Sequence, residues 1–292
     1  MHWKKITLVG VGLLGGSLGL AIKRHKLASR VCGFVRRPAS VTESEAAGAV
    51  DQATLDLVAA VQDADLVVLC TPIAQMRALS EQMLPGLKPG ALVTDVGSVK
   101  GAVVRELEPL IAPTGAQFIG SHPMAGAERM GVSAARADLF ADAVCVVTPT
   151  KQTKPEAVKR IVDFWKAVGG SPLRLTPELH DDLVSRSSHL PHVVAAELAN
   201  YVLSPIHPKE QARLCANGFR DTTRIASGSP EMWRDIALAN RKNLARVIGV
   251  FVEDLQELRH ALDHCDTQVI EEFFVNAKRR RDAWFGQGTS PE

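Results

Sequence analysis

The chain has 292 residues, 46% of them hydrophobic and 23% charged, with a formal net charge of +2. That length favours two hydrophobic cores over one, and the composition is that of an ordinary globular protein, with nothing to suggest disorder. The small charge does not imply a polyanion partner, and the lone basic run, KRRR at 278–281, reads as a solvated helix end, so no nucleic acid is expected as a partner.

Short apolar runs alternate with helix-like stretches through roughly the first 175 residues, the pattern of βαβ units in a parallel sheet. The predicted strands are 6–10, 31–35, 66–71, 92–96, 118–120, 144–148 and 172–175, rich in Val, Leu and Ile as strands covered on both faces must be. Lys4 and Lys5 ahead of the first strand imitate a secretory leader. Five glycines in residues 6–22, and KRHK where a small-residue cleavage site belongs, argue against one. No other stretch approaches the ~20 apolar residues of a membrane span, so no membrane is expected either.

The first strand runs into ITLVGVGLLGGSLG, which sets Gly10, Gly12 and Gly15 in the G-x-G-x-x-G spacing between a strand and a helix. Gly10 permits the tight turn, Gly12 lets backbone approach a pyrophosphate, and Gly15 allows close helix–strand packing. The helix N-terminus, with Leu13 and Leu14, favours the anion. Dinucleotide binding is the expectation. At the end of the second strand an NAD site usually offers Asp or Glu to the ribose; here Val35 stands there and Arg36 and Arg37 follow. Guanidinium groups suit a 2′-phosphate, so NADP is the preferred cofactor expected, with NAD possible.

Ligands in open α/β sheets bind beyond the carboxyl ends of the strands. Three polar clusters are predicted there: CTP at 70–72, with Thr71 and Pro72 beside the cofactor; DVGSVKG at 95–101, with Ser98; and GSHPMAG at 120–126, with His122. Ser98 and His122 each follow a separate strand and are expected to face one crevice. Cys32, Cys70 and Cys145 fall in predicted strands. With Cys215 and Cys265 they are odd in number and never spaced C-x-x-C, so no disulfide framework and no metal site is expected, and a reducing cytoplasm fits best.

After TPELHD at 176–181 helical periodicity replaces strands, with Thr176 a good N-cap and Pro177 a good first helical residue. The domain boundary is therefore placed between 175 and 176, with a helical domain over 176–292. In SSHLPHVVAAELA, Pro191 removes an amide and crowds the Ser187 carbonyl, so a kink or turn break is expected. Leu244, Val247, Phe251, Leu255, Leu258 and Leu262 form a stripe that packs against another helix, read here as a core shared by two chains.

With GLLGGS, DVGSVKG, GSHPMAG, SHLPH, FRDTTRIA and MWRDI in this order, the sequence resembles the prephenate and arogenate dehydrogenase family of tyrosine biosynthesis. The resemblance implies an α/β Rossmann-type, doubly wound parallel sheet followed by an all-α dimerisation domain. It reaches roughly residue 285, so no appended regulatory or mutase domain is expected. The family chemistry is oxidative decarboxylation of prephenate to 4-hydroxyphenylpyruvate. It implies His122 as the base, as an imidazole titrating near neutrality allows, and Ser98 as the group orienting the histidine and the substrate hydroxyl. It further implies Arg224 on the ring carboxylate, His192 with Ser188 on the substrate side chain, and Arg220 near the other end. His192 accompanies prephenate use over arogenate use; His189 is either packing or site. Where many relatives have Thr or Ser before an acid, Ala127 precedes Glu128, leaving Glu128 as a gate or polar partner. Three competing readings are an arogenate or cyclohexadienyl dehydrogenase of the same family, a hydroxyacid or imine reductase, and a non-enzymatic dinucleotide-sensing oligomer. The reductase has no use for GSHPMAG, and the sensor needs neither His122 nor Arg224.

Overall fold

The computed structural model describes residues 2–126 and 130–287. Among them are strands β1 (Trp3–Val9), β2 (Ala28–Phe34), β3 (Gln52–Thr54), β4 (Leu66–Leu69), β5 (Leu92–Asp95), β6 (Gln117–Pro123), β7 (Val144–Thr148) and β8 (Ser171–Arg174). The helices are α1 (Leu13–Arg24), α2 (Pro38–Ala46), α3 (Leu57–Val61), α4 (Ile73–Met83), α5 (Gly101–Ile111), α6 (Pro155–Ala167), α7 (Pro177–Val184) and α8 (Leu190–Val202). Then follow α9 (Glu210–Arg213), α10 (Asn217–Thr223), α11 (Pro230–Ala239), α12 (Arg241–Asp263) and α13 (Thr267–Gln287).

The strands make one sheet in the order β3-β2-β1-β4-β5-β6-β7-β8. From β3 to β6 all neighbours are parallel, and the order reverses between β1 and β4, where a doubly wound sheet opens its ligand crevice. Side chains alternate across it. Ile6 and Leu8 of β1 join α1 and α6 in one core layer, while Val9 joins α3, α4 and α5 in the other. The run LVVL of β4 is buried throughout, as a strand covered on both faces must be, each such side chain contributing about 1.5–3 kcal/mol.

Two strand expectations are corrected. The sheet is not wholly parallel, because β7 runs antiparallel to β6. A parallel neighbour needs a crossover, usually helical; between Pro123 and Val144 the described residues form only a short 3₁₀ turn, Val132–Ala134, and the chain returns alongside β6. That pairing also extends β6 to Pro123, so His122 lies inside a strand opposite Val146, not in a loop after a strand ending at 120. The short β3 was not expected at all.

In the helical part Thr176 caps α7 through its side chain, which accepts from the Leu179 amide, and Pro177 takes the first turn. A single π-helical turn, Ser185–His189, joins α7 to α8, with the Leu190 amide donating to the Ser185 carbonyl five residues back. This is the turn break that Pro191 implied.

The chain divides into two compact units, Met1–Arg241 and Lys242–Glu292. In the second, Leu244 and Val247 of the predicted stripe are buried, whereas Leu255 and Leu262 are exposed; on α13, Phe274, Trp284 and Phe285 are exposed as well. Among the described residues no helix is long and apolar enough to cross a membrane.

Candidate functional site

The glycine-rich turn lies at the switch point between β1 and β4. Gly10 has φ +97°, and a Cβ there would stand 2.9 Å from Thr71 Cγ2. At Gly15 a Cβ would fall 2.0 Å from the Gly10 carbonyl oxygen, so neither position accepts a side chain. A Cβ at Gly12 would meet nothing within 4 Å, so space is open where a phosphate approaches. Leu13 and Leu14 start α1 and are partly buried, packed against the core. Opposite, Thr71 follows β4 and Pro72 caps α4; the Thr71 hydroxyl is buried without a hydrogen-bond partner among the described residues. A tight turn, open space at a helix N-terminus and an unsatisfied hydroxyl fit a dinucleotide. Beyond β2, Val35 is buried and Arg36 and Arg37 are exposed. Arg37 donates to Ser40 Oγ at 3.1 Å and lies 3.7 Å from Glu43.

The neighbouring strand ends are tied by a buried ion pair. Asp95, the last residue of β5, accepts from the Ser121 and Gly97 amides at 2.9 Å and from Lys100 Nζ, which also donates to the Ser121 carbonyl. Both charges are fully buried, and removing one partner of such a pair costs about 3–5 kcal/mol because the other is left bare. The pair therefore fixes the Ser98 loop against β6.

His122 sits next along β6. Its Nδ1 lies 2.8 Å from His180 Nε2, and His180 Nδ1 donates to Asp181 Oδ1 at 2.8 Å. Asp181 also accepts from the amides of Lys100 and Gly101 at 2.7 and 2.8 Å, capping the N-terminus of α5, where a carboxylate is favoured. A Cβ at Gly101 would lie 2.8 Å from Asp181 Oδ2, so the glycine admits the carboxylate. Burial first, then His180, Lys100 and His189, hold His122 well below the ordinary histidine value of 6.5. Burial likewise lowers His180 against the opposing pull of Asp181.

His189 is buried, and burial pushes it down to about 4; the Ser98 backbone adjoins it. The Asn240 side-chain amide spans the Asp181 carbonyl at 2.8 Å and His189 Nδ1 at 3.2 Å. Trp233 stacks on His192 with ring centroids 3.7 Å apart and meets His189 edge-on. His192 Nδ1 donates to the Ser188 carbonyl at 2.9 Å.

Among the predicted residues, Ser98, His122, His189, Ser188 and His192 are thus joined through one connected cluster. Ser98 is half-buried, but the described partner of His122 Nδ1 is His180. Arg220 on α10 and Arg224 in the 3₁₀ turn Arg224–Ser227 are exposed on segments packed against α8. Glu128 lies outside the described residues. His180, Asp181, Lys100, Asp95, Trp233 and Asn240 carry no role in the sequence reading. TPELHD, MWRDI and DVGSVKG contained five of the six, but nothing local signals that His180 meets a residue 58 positions earlier.

A mostly parallel sheet whose strand order reverses at a glycine-rich turn, hydrogen-bonded histidines at its carboxyl end and helices that follow it in the chain define a Rossmann-type nucleotide-binding domain joined to a helical domain. Residues 18–173 match the family described as prephenate dehydrogenase, nucleotide-binding domain, and residues 176–276 the one described as prephenate dehydrogenase, dimerization domain. The chain belongs to the prephenate dehydrogenase family. It is 34% identical to the prephenate dehydrogenase of Bacillus subtilis over 280 residues, 95% of this chain and 75% of that protein. It is 34% identical to the cyclohexadienyl dehydrogenase of Zymomonas mobilis, covering 96% of this chain and 95% of the relative. The crystal structure of prephenate dehydrogenase from A. aeolicus with hydroxyphenyl propionate and NAD+ is similar at TM-score 0.91 and 32% identity, covering 97% of this chain and 99% of that one.

Proposed function

We propose that the chain catalyses oxidative decarboxylation of prephenate to 4-hydroxyphenylpyruvate, with NADP as the preferred hydride acceptor and NAD as the second. The observation that carries this is His122, a buried imidazole tethered on β6 beside the Ser98 loop, at the end of the sheet that bears the nucleotide turn. The B. subtilis relative's name and the A. aeolicus complex with NAD+ support the same reading.

When bound, the nicotinamide supplies the acceptor for the hydride that leaves the carbinol carbon of a cyclohexadienol. His122, its pKa lowered by burial and its neighbours, takes the hydroxyl proton at Nε2 while the carbonyl forms. Ser98 orients that hydroxyl. The ring carboxylate then leaves as carbon dioxide; its bonding pair aromatises the ring, and the former carbonyl oxygen recovers a proton from His122. Arg224 holds the ring carboxylate and Arg220 the other end, because anions leaving water need fixed cations. His192 and Ser188 contact the side chain, Trp233 holds the His192 ring by stacking, and Glu128 serves as a gate or a polar partner. Gly10, Gly12, Leu13, Leu14 and Gly15 would hold the pyrophosphate, and Thr71, Pro72 and Ser98 would hold other parts of the dinucleotide. The functional division falls between 175 and 176, and two copies associate through the helical domain, covering Leu255, Leu262 and the aromatic residues exposed on α13. Five cysteines without disulfide partners suit a reducing cytoplasm.

Two expected results follow. Because His122 titrates below 6.5, and a base works only when unprotonated, kcat/KM falls on acidification with a midpoint below 6.5. An acid limb at or above that value contradicts the assignment. Arg36→Ala combined with Arg37→Ala raises the KM for NADP by about tenfold or more, since each lost hydrogen bond between charged groups is worth about 1.5–3 kcal/mol, and leaves the KM for NAD unchanged. An unchanged KM for NADP removes the preference.

A further inference from the structure

We propose that Asp181 and His180 are positioning residues that fix the tautomer of His122, placing its proton on Nδ1 and its lone pair on Nε2. The base role of Nε2 rests on the reaction proposed above; the tautomer itself rests on geometry alone.

Both carboxylate oxygens of Asp181 accept from backbone amides, Oδ1 from Lys100 and Oδ2 from Gly101, and Oδ1 also faces His180 as an acceptor. His180 Nδ1, at 2.8 Å from Oδ1, must therefore carry a proton. A neutral imidazole has one N–H, so His180 Nε2 is an acceptor. It stands 2.8 Å from His122 Nδ1, and two bare nitrogens do not share a hydrogen bond, so His122 Nδ1 is the donor. The one alternative charges His180 and turns its Nε2 into a donor toward His122. That state would place a second cation, in a fully buried ring, near the fully buried Lys100. The charged and titratable groups around His122 come from every side: Asp95 ending β5, Lys100 before α5, His180 and Asp181 on α7, and His189 in the π turn. When His122 accepts the substrate proton at Nε2, its Nδ1–H remains bonded to His180, whose own proton stays directed at Asp181. The positive charge is met by a carboxylate two rings away, with no group having to move.

The relay is tested on the full-length protein labelled with ¹⁵N-histidine, the His122 resonances being identified by their loss in His122→Asn. At neutral pH the ring nitrogens of His122 are expected as a protonated Nδ1 and a bare Nε2. His180→Leu removes the acceptor, and this pattern is lost. The same variant lowers kcat by about 100-fold, within the ~10²–10⁴ that a positioned base supplies, and leaves the KM values for substrate and dinucleotide near the parent's. His180→Gln, whose amide oxygen can accept the Nδ1 proton, recovers most of that loss. A His122 protonated at Nε2 in the parent, or a folded His180→Leu protein with parental kcat, overturns the proposal. If His180→Leu does not fold, the parent spectrum and His180→Gln decide the matter. Absence of prephenate turnover in the parent would refute the reaction, while the spectrum would still decide the tautomer.

Discussion

Replacing His122 by Asn is expected to lower kcat by about 10²–10⁴-fold, the usual worth of a positioned general base, with dinucleotide affinity unchanged. Asn is the informative substitution. An Asn side-chain amide can donate to His180 Nε2 as the His122 Nδ1–H does, so the buried acceptor is not left unsatisfied. The β6 main chain stays paired with β7 at Val146, and the nucleotide turn on β1 is untouched. What disappears is a neutral nitrogen able to accept a proton. Steady-state kinetics read beside dinucleotide binding separate the two effects, and a kcat loss smaller than tenfold would remove His122 from the chemistry.

The second large effect is expected at Arg224. Its truncation to Ala raises the substrate KM by about 10- to 150-fold, because hydrogen bonds between charged groups are worth about 1.5–3 kcal/mol. The kcat changes much less, since Arg224 is assigned to the carboxylate and not to the proton. Arg224 sits in a 3₁₀ turn held against α8, so truncation leaves the turn's backbone contacts in place. Titration of prephenate against the variant, with kinetics at saturating dinucleotide, gives both quantities. A parental KM would assign the ring carboxylate to another cation.

How much of this was legible in the sequence depends on the range of the interactions. Runs such as LVVL and ITLV declare buried strands, and the three glycines declare their turn, because burial and φ are local demands. The three residues QAT of β3 are too few to carry a pattern. The direction of β7 was hidden for another reason: pairing beside β6 is decided by the connection, whose described residues form no crossover helix, and not by the strand's own residues. That same pairing carries β6 through to Pro123 and takes His122 out of the loop expected for it. Ser98 and His122 were visible as chemistry at strand ends, whereas the partner of His122 was not. TPELHD reads as a helix start, and its Thr176 and Pro177 do start α7, yet the next turn of the same helix supplies His180 and Asp181. Lys100, fully buried, is the least expected of the site's residues from composition alone; its ion pair with Asp95, five residues away, and its bond to the Ser121 carbonyl make the burial tolerable.

Nicotinamide reduction by the purified protein, measured with prephenate or arogenate and with NADP or NAD, tests the central claim most directly. The expected result is rapid reduction with prephenate and NADP, matched mole for mole by release of carbon dioxide, and slower reduction with NAD. Dinucleotide binding without reduction for any of the four pairs would contradict the enzymatic reading and leave a nucleotide-sensing protein in its place.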